Sequence, residues 1–355
     1  MLVVLSGPTA SGKSSLALSV ALEGPLAQQI EIISMDSAQV YRGMDLGTAK
    51  PSAAERAAVA HHLIDVIDPW EAYSAARFRA DALNAAASIR ARGRIPLVVG
   101  GSLLYGKALG GGLSALPASD PDIRKAVASE AASKGWPAMH QALALVDPQT
   151  AKRLNPQDAQ RISRALEVFR HSGKPLSSWI AEQSPSQPAA NEEALVWISL
   201  EPRQRSWLHE RIACRFRHML EQGLLAEVAA LMAHAGMHAG LASMRAVGYR
   251  QCVQWLEGTA NQALHSDAAK ASRDDAGSTT LRDDAGSTTL RPSADALEAR
   301  GIAATRQFAK RQLTWLRAMP ERQVFACDEA NEKESARQAL TDALYKSAAA
   351  ASRLK

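Results

Sequence analysis

Gly7, Gly12, Lys13 and Ser14 follow the spacing glycine, four residues, glycine, lysine, serine, within Gly7-Pro8-Thr9-Ala10-Ser11-Gly12-Lys13-Ser14. That spacing suits an anion. Two glycines let the backbone curl so that successive N–H groups point inward. A helix opening at Lys13 adds the positive end of its dipole, Lys13 adds a point charge, and the Ser14 hydroxyl can hold a magnesium ion. This is the pattern of a phosphate-binding loop, and taken alone it suggests ATP or GTP. Asp36 comes next, closing an apolar run over residues 30–35. In doubly wound sheets the chemistry gathers at the carboxyl ends of strands, where a carboxylate can take a proton. On position alone the alternative for Asp36 is a helix N-cap or a turn aspartate. A third group is cationic. Arg161 and Arg164 lie together, away from the face shared by Ile162, Ala165, Leu166 and Phe169. Residues 300–322 carry Arg300, Arg306, Lys310, Arg311, Arg317 and Arg322 against one acid, Glu321. Such a run either follows a nucleic-acid backbone or forms a solvated helix face.

The elements that must position these residues read as an α/β fold. Residues 2–5 form a buried strand entering the loop, and residues 30–35, 61–69, 95–102 and 195–200 read as further strands. His61 and His62 point to opposite faces of an extended chain and cannot together grip one metal. Helices are expected over residues 74–92 and 203–235, the latter carrying Arg205, Arg211, Arg215 and Arg217. The strand ending at Val99 runs into Gly100-Gly101-Ser102, where an ATP-driven motor or switch would place a magnesium-holding aspartate. That counts against such a machine. Residues 117–190 change character and read as an inserted helical lobe, with a helix starting at Asn155-Pro156 and stopping at Gly173. Residues 1–116 and 191–325 are then the core with its C-terminal helices, and 326–355 a helix and tail. Residues 185–190 are the return linker. Within 261–295, Arg273 to Leu281 is repeated letter for letter as Arg282 to Leu290. Two copies cannot stack into a solenoid, and the small, charged residues suit a disordered surface insertion.

Composition narrows the class. At 355 residues and 46% hydrophobic the chain can build a full core with a second lobe. A net charge of +5 permits a nucleic-acid partner without requiring one. Cys214, Cys252 and Cys327 are too far apart for a metal pair or a disulfide framework, so a reduced cytoplasmic setting is expected. No run approaches the roughly 20 apolar residues of a membrane span.

Taken in order, the phosphate loop, Asp36-Ser37-Ala38-Gln39-Val40-Tyr41, Met44-Asp45-Leu46-Gly47-Thr48-Ala49-Lys50-Pro51, residues 93–105, Gln160-Arg161-Ile162-Ser163-Arg164-Ala165-Leu166, Arg245-Ala246-Val247-Gly248-Tyr249-Arg250-Gln251 and residues 304–317 resemble the bacterial tRNA dimethylallyltransferase family. The resemblance runs from residue 2 to about 317. It implies a P-loop NTPase-like parallel sheet core with helices on both faces and an inserted all-helical lobe that clamps the anticodon stem-loop. It also implies prenyl transfer from dimethylallyl diphosphate to N6 of adenosine 37. Gly7, Pro8, Thr9, Ala10, Ser11, Gly12, Lys13 and Ser14 would then hold a diphosphate leaving group with Mg2+ near Ser14. Arg215 would add positive charge, and Asp36 would accept the amine proton. Asp36, Ser37, Ala38, Gln39, Ser102, Arg124, Gln160, Arg161, Ile162, Ser163, Arg164, Arg245, Ala246, Val247, Gly248, Tyr249 and Arg250 would contact the RNA, joined by Arg306 and Lys310 of the basic run. Ser102 replaces the threonine usual there, and Gln39 replaces an apolar residue. A monomer is expected. The alternatives are an adenylate isopentenyltransferase acting on free AMP, ADP or ATP, a P-loop small-molecule kinase, and a non-catalytic RNA-binding protein with a relic loop.

Overall fold

The computed structural model describes residues 1–112, 116–117, 119–182, 193–258 and 293–352. The duplicated nine-residue segment and the expected linker over 185–190 lie outside them. The chain divides into two compact units, Met1–Gly110 with Glu193–Lys355, and Gly111–Glu192.

The first unit begins with β1 (Leu2–Ser6), α1 (Lys13–Leu22), β2 (Ile30–Ser34), α2 (Ala53–Ala58), β3 (His61–His62), α3 (Ala75–Ala91), β4 (Ile95–Gly100) and α4 (Leu103–Leu109). The second consists of α5 (Pro121–Lys134), α6 (Trp136–Val146), α7 (Pro148–Arg153), α8 (Ala159–Ser172) and α9 (Leu176–Glu182). The first unit then resumes with β5 (Leu195–Glu201), α10 (Arg205–Glu221) and α11 (Leu224–Met232). A helix α12 over 249–258 follows, then α13 (Ala294–Arg317), β6 (Gln323–Ala326) and α14 (Ala330–Ser352).

Six parallel strands form one sheet in the order β3-β2-β4-β1-β5-β6. Alternation along β1 explains the layering. Val3 and Leu5 pack with Ala17, Val20 and Ala21 of α1 and with Leu340 and Leu344 of α14. Leu2 and Val4 face the other way, onto Phe78, Ala82 and Ile89 of α3 and Leu316 of α13. Strands buried on both faces read as continuous apolar runs, as β1 and β4 do. In the helical unit Ile162, Ala165 and Leu166 of α8 pack with Val127, Met139 and Leu143.

Several sequence expectations need correction. The strand expected over 61–69 is only His61–His62. Leu63 and Asp65 take left-handed backbone angles, with φ of 62° and 56°, which end an extended run. The helix expected over 203–235 is two helices, broken at Gly223 with φ of 102°. The helix expected from Asn155-Pro156 begins at Ala159. Asp158 caps it through the Arg161 N–H, while Gly173 ends it in the left-handed conformation as anticipated. Strand β6 is not among the expected strands, and the helix expected within 326–355 is α14, whose Ala336, Leu340 and Leu344 are fully buried against the sheet.

Candidate active site

The phosphate loop leaves β1 at Gly7. A Cβ there would lie 2.6 Å from the Leu200 carbonyl oxygen and 2.7 Å from Ser11 Oγ, so the loop rests directly on the end of β5. The backbone turns through left-handed conformations at Ala10 and Gly12, with φ of 65° and 93°, before α1 opens at Lys13. Lys13 Nζ donates to the Pro8 carbonyl at 3.2 Å. Burial, with the Arg215 guanidinium adding to it, lowers the Lys13 pKa to about 8 against a weaker pull from Asp36. Two cations share a poorly hydrated place, which an anion would relieve. Burial likewise lowers the Arg215 pKa, opposed by the Asp36 carboxylate. Arg211, one helical turn earlier on α10, donates from Nε to the Ala10 carbonyl at 2.9 Å and lies 4.8 Å over the Trp207 ring. Sequence reasoning gave Arg211 no role.

Asp36 follows β2, and its Oδ1 accepts the Ala38 N–H at 2.9 Å. Beside it, the Ser102 hydroxyl oxygen accepts the Ser37 N–H at 2.9 Å and lies 3.1 Å from Ser37 Oγ. Gly100 is a glycine of necessity. A Cβ would sit 2.1 Å from the Met35 carbonyl oxygen, so the strand that lacks a terminal aspartate has no room for one there.

The loop over 41–50 forms the next wall and is pinned at several points. Lys50, with a side chain 2% exposed, donates to the Tyr41 carbonyl at 2.9 Å and pairs with Asp45 at 2.5 Å and Asp65 at 2.6 Å. Glu227 of α11 accepts the N–H groups of Asp45 and Leu46 at 3.1 and 2.8 Å and the Tyr249 hydroxyl at 2.5 Å. One carboxylate thereby ties the 45–47 loop to the 245–249 segment.

These walls enclose a cavity of about 310 Å³ in the first unit. It brings together Thr9, Ala10, Lys13, Ser14, Asp36, Ser37, Ala38, Gln39, Arg215 and Arg245, Ala246, Val247, Gly248 and Tyr249. Gly7, Pro8, Ser11 and Gly12 complete the loop behind it. Thr48, Ala49, Thr305, Phe308 and Arg311 also line it, a set without a chemical pattern of its own to reveal it in sequence.

Several residues read as RNA contacts have side chains engaged within the protein. Tyr249 is fully buried, its hydroxyl held by Glu227. Ile162 is fully buried in the helical core. Gln39 accepts the Ser34 hydroxyl at 2.8 Å and donates to the carbonyls of Thr48 and Ala49 at 3.4 and 3.3 Å, so it braces the wall. In the helical unit the buried Glu167 accepts from Ser163 at 2.7 Å and pairs with Arg124 at 3.6 Å. Arg164 donates to the Pro117 carbonyl at 2.8 Å. Gln160 and Arg161 are exposed, Arg161 pairing with Asp158 at 2.5 Å. Arg250, Arg306 and Lys310 are exposed, and Arg306 borders a second, open groove with Ala213, Arg217 and Glu298.

Among the described residues no three His, Cys, Asp or Glu side chains gather as a metal site. The Ser14 hydroxyl on the cavity nevertheless fits magnesium, which takes one or two protein oxygens and completes its shell with phosphate and water. Among the described residues no helix is long and apolar enough to cross a membrane.

A family model described as IPP transferase matches residues 39–319. A tRNA dimethylallyltransferase of Verminephrobacter eiseniae is 52% identical over 327 residues, covering 92% of this chain and 91% of that one. One from Burkholderia thailandensis is 51% identical, covering 91% and 89%. Among solved structures, the full-length tRNA isopentenylpyrophosphate transferase of Bacillus halodurans aligns with a TM-score of 0.60 at 30% identity, over 99% and 98% of the two chains. A eukaryotic dimethylallyltransferase acting on tRNA aligns with a TM-score of 0.67 at 24% identity, over 92% and 73%, a likeness of fold.

Proposed function

The chain belongs to the IPP transferase family and is a prenyltransferase acting on tRNA, and from that premise we propose that its donor is dimethylallyl diphosphate and its acceptor N6 of adenosine 37, beside the anticodon. The observation that carries this reading is the phosphate loop sharing one cavity with Asp36. The loop N–H groups and Lys13 bind the diphosphate of the donor. The bond between its first carbon and the bridging oxygen breaks, and pyrophosphate leaves with the electron pair. N6 forms the new bond to that carbon and gives its proton to Asp36. An exocyclic amine conjugated with its ring is a weak nucleophile, so a base that removes charge as the bond forms lowers the barrier. Lys13 and Arg215 balance the charge that grows on the leaving group. Ser14 would hold magnesium against the diphosphate, where the ion supplies further neutralising charge.

The adenine must leave its stack to enter the cavity. Ser37, Ala38, Arg245, Ala246 and Val247 line the space it would enter, with Gly248 shaping the turn. Arg250, Arg306 and Lys310 are exposed cations for the RNA backbone on the first unit, and Gln160, Arg161, Arg164 and Arg124 offer polar contacts on the second. The three free cysteines suit a reducing cytoplasm, where the enzyme acts as a monomer.

The test is incubation with labelled dimethylallyl diphosphate and either tRNA or AMP. Label should enter tRNA at adenosine 37 and not AMP; label in AMP would favour an adenylate isopentenyltransferase. Hydrolysis of ATP without RNA would favour a kinase.

A further inference from the structure

We propose that Gln312 is a positioning residue that sets the donor's phosphate loop against the wall bearing Asp36, an inference that rests on the reaction assigned above. Gln312 lies on α13, some 300 positions from the loop, and is 6% exposed. Its Oε1 accepts the Thr9 N–H at 2.8 Å, and its Nε2 donates to the Gly101 carbonyl at 2.9 Å. Gly101 admits this approach because it has no side chain: a Cβ there would lie 2.4 Å from Nε2.

From Gly101 the connection continues to the base. The Ser102 N–H donates to the Met35 carbonyl at 3.2 Å, and its hydroxyl oxygen accepts the Ser37 N–H at 2.9 Å, one residue from Asp36. One arm of the amide therefore holds the loop that binds the donor. The other holds the turn that holds the base. An amide is suited to the junction because one planar group presents an acceptor and a donor side by side. Its orientation is dictated by its partners, a donor at Thr9 and an acceptor at Gly101. The helix that supplies it also lines the cavity through Thr305, Phe308 and Arg311.

Two variants separate positioning from simple bracing. Gln312→Met keeps the volume and loses both bonds. Gln312→Glu, when ionised, still accepts from Thr9 but turns a second acceptor on the Gly101 carbonyl. Once protonated, its O–H donates to that carbonyl and both bonds return. The readouts are kcat for transfer to tRNA, the Kd of inorganic pyrophosphate by calorimetry, and thermal melting. Misplacement of reacting groups by about 1 Å costs on the order of 100-fold in rate. We expect kcat of Gln312→Met to fall by about that factor, with pyrophosphate affinity changed less than about threefold. For Gln312→Glu the ratio of its kcat to the wild-type value should rise as pH falls from 8 to 6. Taking the ratio cancels any pH dependence the two enzymes share. If Gln312→Met does not fold, the pH dependence of Gln312→Glu decides by itself. A pH-independent ratio overturns the proposal. So does wild-type kcat in Gln312→Met, or an equal loss in kcat and pyrophosphate affinity, which would make Gln312 a brace for the loop alone. Wild-type enzyme that transfers no label to tRNA would overturn the reaction assignment, and this proposal with it.

Discussion

On the proposed reaction, Lys13 should make donor binding a proton-coupled event. Its pKa is about 8 in the folded protein, against an ordinary 10.5, because burial and Arg215 disfavour the ammonium. That gap corresponds to about 3 kcal/mol held against the charged form. A diphosphate in the loop supplies the missing counter-charge and drives the pKa back up. At pH 8 about half of the free enzyme carries a neutral Lys13, so binding should take up about half a proton per site. At pH 7 uptake should fall to about a tenth. Titration calorimetry with dimethylallyl diphosphate, in two buffers of different ionisation enthalpy, counts these protons. In steady state, kcat/KM for the donor reports the free enzyme, so it should decline about tenfold per pH unit well above pH 8. Lys13→Arg stays charged throughout. It serves as the control for the ligand's own titration and should lack both effects. The sign for stability follows from the same shift. Below about pH 8 both folded and unfolded chains carry the charge, and the burial penalty is fully present. Between about 8 and 10.5 the unfolded chain binds more protons, so stability rises with pH. Lys13→Met should therefore melt higher than wild type at pH 7, with the gap closing through that window. Equal proton uptake by wild type and Lys13→Arg at pH 8, with flat kcat/KM from 7 to 9, would refute the reasoning.

Three further outcomes are expected. Asp36→Asn retains the acceptor for the Ala38 N–H but loses the base; kcat should fall by about 10² to 10⁴ while tRNA affinity stays within about twofold, and undiminished turnover would remove Asp36 from the proton transfer. Arg306→Ala should weaken tRNA binding across sequences and lower the slope of log K against log salt by about 1; an unchanged slope in filter binding would leave Arg306 as solvated surface. Glu227→Gln should lower stability by about 2–3 kcal/mol in urea unfolding. It replaces a carboxylate that accepts three loop N–H groups and the Tyr249 hydroxyl, and an unchanged midpoint would show that Lys50 and Gln39 hold the loop without it.

Much of the site was legible in the order of residues because its chemistry is local. The phosphate loop needs its glycines, lysine and serine within eight positions. Asp36, the proposed base, sits where a mostly apolar strand ends. Strands β1 and β4 announced themselves because a strand buried on both faces must be near-continuously apolar, and β2 and β5 as mostly apolar runs that also carry Glu31 and Ser199. Where reading failed, a short-range signal was overruled by a distant contact. The run over 61–69 looked like a strand, yet Asp65 takes a left-handed conformation while its carboxylate pairs with Lys50 and Arg56. Strand β6 is four residues, half of them exposed, and exists because β5 offers it a parallel edge.

Of the feature that organises this protein, a loop shaped for phosphate, the sequence by itself determined the anion-binding chemistry, since backbone freedom, helix dipole and lysine are properties of neighbours. Tertiary structure alone decided what surrounds that loop. It brought Arg215 from α10 beside Lys13, lowering the lysine's pKa, and set Asp36 on the same cavity. It turned the Tyr249 and Ile162 side chains inward, the first to a hydrogen bond with Glu227 and the second into the helical core. The physical reason is that burial and long-range charge are set by which segments pack together, and spacing along the chain does not encode them.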